Sequence, residues 1–246
     1  MNERRNNILE LLNKDERISV SELAVRLKVS SVTIRNDLNF LESEGLLKRI
    51  HGGAVIQDAD DIDNSMAINY EKKIRIACKV AGLVNEGETV LLESGSVNAL
   101  LARELVKKNV TIITTNIYIA RQFRKEKSAR IIIMGGLYQH ESESLVGKIT
   151  RSCIDQVNYD KAFIGIDGYT TKTGFTLKDL LRADISSYII KNSRDVFIVS
   201  DSSKFGKAEL TNICYLSDIQ HIATDNELGS QFVSEFRKAG KDLILA

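Results

Sequence analysis

Two groups of residues in this 246-residue sequence have the types and spacing needed for binding chemistry. In the first, Ser94-Gly95-Ser96 directly precedes a predicted helix, whose free N–H groups favour an anion such as a phosphate. Lys204 offers a point charge to that phosphate, and Asp167 and Asn116 offer partners to sugar hydroxyls. Ordinary turns remain the alternative, because turns are rich in such residues for backbone reasons alone. The predicted ligand contacts are Ser94, Gly95, Ser96, Thr115, Asn116, Gly135, Gly136, Asp167, Gly168 and Lys204.

The second group lies on a predicted helix that Ser30 can cap. Ile34, Leu38 and Leu41 fall on one side of this helix, and Arg35 points away from them. An outward face with an arginine and two amides suits the DNA major groove, where arginine pairs with guanine and an amide with adenine. The alternative is a solvated helix in an ordinary three-helix domain. The residues predicted to contact DNA are Ser30, Ser31, Val32, Thr33, Arg35, Asn36, Asn39, Lys48, Arg49 and His51.

Three short helices and a hairpin are predicted to position the second group. Ser19-Val20-Ser21-Glu22 forms a capping box at the start of the second helix, and Lys28-Val29 makes a short turn before the third. The strands Leu46–Ile50 and Ala54–Ile56 flank His51-Gly52-Gly53. This pattern is typical of a winged helix-turn-helix.

Strands and helices alternate from about residue 70, which predicts an α/β domain with a mostly parallel sheet. In such a sheet, ligands bind beyond the carboxyl ends of the strands, where the first group lies. The predicted strands are Thr89–Leu92, Val110–Thr114, Arg130–Met134, Lys161–Ile166, Val196–Ser200, His221–Thr224 and Leu243–Leu245. The predicted helices are 70–84, 97–108, 117–127, 148–156, 180–193 and 227–239.

The domain organisation follows from these patterns. We predict a DNA-binding domain over 1–57, an acidic linker over 58–69 and an α/β sensing and oligomerisation domain over 70–246. The segment 58–65 carries several aspartates and shows no periodicity, although it could also be a solvated loop within one domain.

The composition excludes several classes of protein. With 43% hydrophobic and 27% charged residues, the chain is neither disordered nor fibrous. No apolar stretch is long enough to predict a membrane span, and no signal peptide is recognisable. Three separated cysteines indicate free thiols in the cytoplasm, and neither a metal site nor a cofactor is predicted. The net charge of +1 gives no general basic field, so DNA binding must arise locally.

Two stretches of the N-terminal region resemble the DeoR family of bacterial transcription regulators. The first is Arg4-x3-Ile8-x3-Leu12, followed after seventeen residues by Ser30-x2-Thr33-Ile34-Arg35-Asn36-Asp37-Leu38. The second is Leu41-Glu42-x-Glu44-Gly45-Leu46-Leu47-Lys48-Arg49-Ile50-His51-Gly52-Gly53-Ala54. The resemblance implies a winged helix-turn-helix that binds operator DNA and most often represses genes of sugar or nucleoside metabolism.

Residues from about 71 to 246 resemble the DeoR-type sensor domain, which is similar to sugar-phosphate isomerase and CoA-transferase folds. Four positions depart from the family's usual residues. Glu93 stands where the family usually has Asp, and Val97 where it has Thr. Arg182 and Ser186 replace a Glu and a Lys, which implies an unusual effector or a reduced affinity if both line the pocket.

The leading hypothesis is a cytoplasmic DNA-binding regulator, expected to be a repressor of carbohydrate metabolism genes. Its predicted partners are double-stranded operator DNA, a small phosphorylated sugar or related metabolite, and further copies of itself in a homodimer or homotetramer. Effector and operator would be linked by their coupling free energy. The alternatives are a sugar-phosphate isomerase-like enzyme with a helical N-terminal appendage, for which Glu93, Asp167, Asp201 and Lys204 supply suitable residue types, and an oligomeric scaffold.

Overall fold

A computed structural model describes residues 3–15, 17–43, 45–55, 62–124 and 129–246. The chain divides into two compact units, residues 1–71 and 72–246. Each unit has its own buried apolar side chains, as the change of sequence pattern near residue 70 predicts. Within the described ranges, no helix is long and apolar enough to cross a membrane.

The first unit contains a helix-turn-helix with a small antiparallel sheet. Its elements are α1 (Glu3–Asp15), β1 (Arg17–Ser19), α2 (Val20–Arg26), α3 (Ser31–Ser43), β2 (Lys48–Ile50), β3 (Gly53–Val55) and α4 (Ile62–Ala67). The Ser19 hydroxyl accepts a hydrogen bond from the Glu22 N–H at 3.1 Å, so the predicted cap of α2 is confirmed. Lys28, with φ of 54°, turns the chain from α2 towards α3.

The predicted wing hairpin is confirmed, and a third strand extends it. β2 and β3 pair antiparallel, and β1 pairs with the other side of β3. At Gly53, a Cβ atom would lie 2.4 Å from the Ile18 carbonyl oxygen on β1, so no other residue fits this pairing. The predicted second strand ended at Ile56, which lies outside the described residues.

One expectation for this region is corrected. The acidic segment was expected to lack regular structure, but residues 62–67 form helix α4, in which Met66 and Ala67 are buried. Burial of these apolar side chains explains the helix, since a short helix is marginal without packing. Residues 58–61 of the predicted linker lie outside the described part of the chain.

The second unit is built on a parallel seven-stranded sheet with the order β15-β14-β12-β9-β4-β5-β6. Its elements in chain order are α5 (Tyr70–Ala81), β4 (Thr89–Leu92), α6 (Ser96–Leu105), β5 (Thr111–Thr114), α7 (Ile117–Arg121), β6 (Arg130–Ile133), β7 (Leu137–Gln139), β8 (Ser144–Val146), α8 (Lys148–Ile154), β9 (Lys161–Ile164), β10 (Gly168–Thr170), β11 (Gly174–Leu177), α9 (Leu180–Asn192), β12 (Val196–Val199), β13 (Thr211–Cys214), β14 (His221–Thr224), α10 (Ser230–Lys238) and β15 (Asp242–Leu245).

All seven strands of this sheet were predicted, to within two residues at each end. Strands β7, β8, β10, β11 and β13 were not predicted; they pair antiparallel in two small separate sheets. The helix predicted over 117–127 is shorter, since α7 ends at Arg121, and residues 125–128 are not described. The sheet brings the carboxyl ends of β4, β5, β9 and β12 to one edge, as parallel strands must.

Candidate functional site

Helix α3 presents the outward face that its periodicity predicts. Ile34 and Leu38 are fully buried, whereas Val32 is 62% exposed. Arg35, Asn36 and Asn39 are exposed on the same outward side. The side chains predicted to reach base edges are therefore available to a groove of DNA.

The Ser30 hydroxyl caps the amino end of α3 and is joined to the Thr33 hydroxyl. The Ser30 hydroxyl accepts a hydrogen bond from the Thr33 N–H at 3.1 Å and lies 2.8 Å from the Thr33 hydroxyl. Ser30 is exposed, and Ser31 and Thr33 are half-buried. The Ser30 and Thr33 hydroxyls, which are predicted to contact DNA phosphates, thus also take part in the hydrogen bonds at the helix start.

The wing is tied to α3 through Arg49. Its guanidinium donates a hydrogen bond to the Asn39 side-chain oxygen, and its backbone N–H donates to a Glu42 carboxylate oxygen at 2.8 Å. Lys48 and His51 are exposed on the hairpin. The structure therefore separates the predicted wing residues: Lys48 and His51 face solvent, and Arg49 couples the wing to the outward face of α3.

Asp37 positions α3 against α1, a role that sequence reasoning missed. Its side chain is buried and accepts hydrogen bonds from Arg4 at 2.5 Å and Arg5 at 2.8 Å. Burial alone would raise the pKa of Asp37, but the two arginine hydrogen bonds outweigh it and hold this pKa below its ordinary value. Arg5 also covers the Phe40 ring at 3.7 Å. The signal was present, since Arg4 and Asp37 both belong to the quoted motif.

In the second unit, the loops after β4 and β5 are joined by a buried polar network. The Asn116 amide donates to the Ser142 carbonyl at 2.7 Å, and the Ser144 hydroxyl donates to the Ser94 hydroxyl at 3.0 Å. The Asn116 side-chain oxygen caps α7 by accepting from the Ile119 N–H. Ser94 and Asn116 are brought together as predicted, and both side chains hold the loops in place.

At the start of α6, glycines allow the backbones of two loops to approach each other closely. Gly95 takes a φ of 125° and has no side chain that could cap the helix. A Cβ atom on Gly165 would lie 2.9 Å from the Ser94 carbonyl, so the loops after β4 and β9 touch through their backbones. Beneath them, the Asn98 amide donates to the Glu93 and Phe163 carbonyls at 3.0 and 2.9 Å. Asn98 was not predicted, because one amide on a helix carries no distinguishing pattern.

Charged side chains gather at the same edge of the sheet. Glu93 is almost completely buried, and one carboxylate oxygen lies 3.6 Å from the Arg182 guanidinium. Burial raises the pKa of Glu93 to about 7, against the opposing charge of Arg182. Asp167 faces both groups and also accepts a hydrogen bond from the Lys178 N–H at 3.2 Å.

Lys73 is a second buried charge that sequence reasoning missed. Its ammonium lies 3.8 Å from an Asp201 carboxylate oxygen, and both side chains are buried. Burial lowers the pKa of Lys73 to about 8, with Asp201 opposing the shift and Lys204 adding to it. Lys73 is on α5, in a helical segment where a lysine is expected to be exposed, so only the packing identifies it.

Lys204 lies in a short helical turn, Ser202–Lys204, that follows β12. Asp201 caps this turn by accepting from the Ser203 N–H at 3.1 Å. Phe205 is buried at the end of the turn, with its ring centre 5.8 Å from that of Tyr169. Asp201 and Phe205 thus hold the two ends of this turn in place, and Lys204, which lies between them, is half-buried.

The other predicted ligand residues have clear packing roles. A Cβ atom on Gly136 would clash with the Thr150 hydroxyl, and one on Gly168 would lie 2.6 Å from the Lys207 carbonyl oxygen. Gly135 packs beside α8, and Thr115 is buried and accepts the Leu145 N–H through its carbonyl. These contacts explain the residue types by packing, and a role in ligand binding stays a prediction.

Two family models match the chain. A DeoR-like helix-turn-helix domain matches residues 4–60, and a DeoR C-terminal sensor domain matches residues 68–226. Similar proteins include the HTH-type transcriptional regulator GolR of Listeria innocua, 30% identical over 99% of this chain and 98% of its own length. The glycerol-3-phosphate regulon repressor of Escherichia coli is 32% identical over 91% of this chain and 90% of its own. The lactose phosphotransferase system repressor of Streptococcus mutans is 32% identical over 91% of each chain.

Solved structures are also similar to parts of the fold. Ribose 5-phosphate isomerase A of Methanocaldococcus jannaschii covers 56% of this chain and 55% of its own, with 21% identity and a TM-score of 0.40. The eIF2B delta subunit of Chaetomium thermophilum covers 66% of this chain and 57% of its own, with 14% identity and a TM-score of 0.47. Likeness at this level carries no functional argument.

A helix-turn-helix unit followed by a parallel-sheet sensor unit is the architecture of a DNA-binding transcription regulator. This chain belongs to the DeoR family of such regulators. It is therefore a regulator and not an enzyme, and the isomerase-like alternative is not supported.

Proposed function

We propose that the protein represses genes of carbohydrate metabolism and releases its operator, or binds it less tightly, when a small phosphorylated metabolite occupies the second unit. The relatives named as repressors of the glycerol-3-phosphate regulon and of the lactose phosphotransferase system support this class of genes. Effector and operator would be linked by a coupling free energy of about 1–3 kcal/mol.

The observation that carries the effector proposal is a group of three buried or half-buried cations, paired with carboxylates, at the edge of the sheet. Lys73, Arg182 and Lys204 interact with the carboxylates of one cluster, close to loops whose backbones meet at the uncapped start of α6. Free helix N–H groups together with cations suit a phosphate. The phosphate is proposed to lie near Ser94-Gly95-Ser96 or Lys204, with Asp167 and Asn116 available to sugar hydroxyls.

For DNA, the proposed base contacts come from Val32, Arg35, Asn36 and Asn39, and the phosphate contacts from Ser30, Lys48 and His51. The exposure of these residues supports this division. One winged module buries too little surface for tight specific binding, at roughly 600–1,000 Å². The protein is therefore proposed to act as a homodimer or homotetramer on repeated half-sites.

The test begins by selecting a binding site for the full chain from random duplex DNA. Fluorescence anisotropy on that site then measures affinity with and without phosphorylated sugars and their unphosphorylated counterparts. The proposal expects a phosphorylated sugar to weaken operator affinity by about 5- to 150-fold, and its unphosphorylated counterpart to leave it unchanged. An equal effect of the unphosphorylated sugar would contradict the phosphate site, and failure to enrich any sequence would contradict operator recognition.

A further inference from the structure

Arg182 is held in the first turn of α9 with its charge turned towards the ligand edge of the sheet. Its backbone N–H donates to the capping Asp179 carboxylate at 2.7 Å, which fixes the helix start. Its guanidinium lies 3.6 Å from Glu93, and the two side chains are 14% and 2% exposed. This separation is an ion pair but is too long for a good hydrogen bond.

Several polar atoms around this ion pair have no hydrogen-bond partner among the described residues. They are Nε of Arg182, Oε2 of Glu93 and the hydroxyl of Ser186, which is fully buried one helical turn beyond Arg182 on α9. Buried polar atoms in folded proteins are almost always partnered, and an unpartnered one is costly. Donors and acceptors left open together at the mouth of a binding cluster indicate that a ligand completes the network.

The cations of the cluster pair with different carboxylates. Lys73 lies 3.8 Å from Asp201 and Arg182 lies 3.6 Å from Glu93, while Asp167 interacts with both cations. A guanidinium presents a planar pair of donors that matches a carboxylate or phosphate, which a loosely placed Glu93 does not fully use. A ligand with two acidic groups can pair with the lysines through one group and with Arg182 through the other.

We infer that the effector carries a second acidic group, a carboxylate or a second phosphate, which pairs with Arg182 and displaces it from Glu93. This inference rests on the proposed function, in which the edge of the sheet binds a phosphorylated metabolite. Arg182 thereby selects doubly acidic metabolites over simple sugar monophosphates.

Proton uptake should accompany binding of such a ligand. Glu93 faces Arg182 and Asp167, the nearby backbone N–H groups of Ser94 and Gly165 favour its ionised form, and burial already raises its pKa to about 7. When the ligand takes Arg182, the buried carboxylate loses its counter-charge, so its pKa rises further and it takes up a proton. Binding of a doubly acidic ligand therefore strengthens as the pH falls from the raised pKa of the complex to about 7, and Glu93 adds little below that pH.

The experiment compares matched probes by isothermal titration of the full chain. One pair is glucose 6-phosphate and 6-phosphogluconate, which share a phosphate and differ by a carboxylate. The other pair is fructose 6-phosphate and fructose 1,6-bisphosphate. We expect the doubly acidic member of at least one pair to bind about 10- to 100-fold more tightly, the range of a charge-assisted hydrogen-bonded pair. The pair that shows the preference identifies the second group as carboxylate or phosphate.

Variants then assign the preference to Arg182. Arg182→Gln should remove it and leave the affinity for the monophosphate within about threefold, since the phosphate position is elsewhere. Arg151→Gln is the matched control, because Arg151 is a partly exposed arginine paired with Asp184 outside the cluster. Glu93→Gln keeps Arg182 and should retain the preference, while the extra proton uptake of the doubly acidic ligand over its monophosphate counterpart is lost, as measured in buffers of different ionisation enthalpy. This second variant keeps the test decisive if Arg182→Gln fails to fold.

The outcomes separate this inference from the proposed function. Equal affinity of the wild type for both members of each pair overturns the role of Arg182 while a phosphate site stands. A preference that survives in folded Arg182→Gln also overturns it, as does an extra proton uptake of the doubly acidic ligand that persists in Glu93→Gln. Absence of binding for all four probes overturns both the inference and the effector proposal.

Discussion

The Arg49 guanidinium on strand β2 donates a hydrogen bond to the Asn39 side chain on helix α3. A wing residue is thereby joined to the face proposed to read DNA. The Arg49 backbone N–H is fixed as well, by the Glu42 carboxylate. The wing and α3 are thus expected to act on DNA as one surface rather than as two independent contacts.

The first prediction concerns that pair. Because Arg49 and Asn39 share a hydrogen bond, the effects of Asn39→Ala and Arg49→Ala on operator affinity should be non-additive by about 0.5–3 kcal/mol. A double-mutant cycle measured by anisotropy gives the coupling. The cycle of Asn39→Ala with Lys48→Ala serves as the control and should be additive within about 0.5 kcal/mol. Additivity in both cycles would mean that the hydrogen bond is equally strong with and without DNA, so that the two side chains contribute to DNA binding independently.

Arg35 is predicted to carry sequence-specific contact, since it is exposed on the outward face of α3. Arg35→Ala should cost about 1–3 kcal/mol on the selected operator and much less on random DNA. Arg237→Ala, which removes an exposed arginine from α10, is the control for loss of charge. Equal losses on both DNAs for Arg35→Ala would reassign this residue to a phosphate contact.

Lys48 should behave in the opposite way. An exposed lysine on the wing neutralises a phosphate, so Lys48→Ala should weaken all sequences alike and make the salt dependence of log K shallower by about 1. Titrations between low and physiological salt measure this slope. An unchanged slope would remove Lys48 from the DNA contact.

Lys204 is predicted to bind the effector without supporting the fold. Lys204→Ala should abolish or weaken the response to phosphorylated sugars and leave operator binding of the unliganded protein intact. Phe205→Ala is the contrasting variant, because loss of this buried ring should destabilise the second unit by about 3–5 kcal/mol. A Lys204→Ala protein that loses stability and DNA binding together would show that Lys204 braces its loop instead.

The stability of the unliganded protein should depend on the protonation of Glu93. Its pKa is raised to about 7 in the folded protein, so the folded state binds more protons than the unfolded state between about pH 4.5 and 7. Ionisation of Glu93 therefore lowers the free energy of unfolding as the pH rises through that range. The loss is at most about 3 kcal/mol, since one pKa unit corresponds to about 1.4 kcal/mol.

Glu93→Gln measures this contribution, because glutamine stands in for the protonated acid. The free energy of unfolding of Glu93→Gln relative to the wild type should rise between pH 5 and 8, as followed by urea unfolding. A difference that stays constant with pH would mean that Glu93 is ionised throughout. Glu88→Gln is the control. Burial opposes the shift, but the hydrogen bond with Lys161 lowers the pKa of Glu88, so the stability of this variant relative to the wild type should stay constant between pH 5 and 8.

Much of the fold follows from local patterns. Apolar side chains every three or four residues place Ile34 and Leu38 inward and Arg35 outward, whatever else the chain does. The caps by Ser19 and Ser30 are equally local, since each hydroxyl accepts from an N–H three residues along. Strands β10 and β13 escaped prediction because three or four residues show no clear alternation. The pairing of β13 with β11 also joins distant parts of the chain.

The sequence by itself thus determined a helix-turn-helix with a wing, a parallel sheet and the polar loops at its edge. Only the tertiary structure decided which charges meet there. Glu93 and Arg182, like Lys73 and Asp201, lie far apart in the chain, and neither pair is marked by spacing. Burial fixes the pKa values of Glu93 and Lys73, and burial depends on every element packed around a side chain rather than on its neighbours in sequence. The same holds for Asp37, whose two arginine partners come from a different helix.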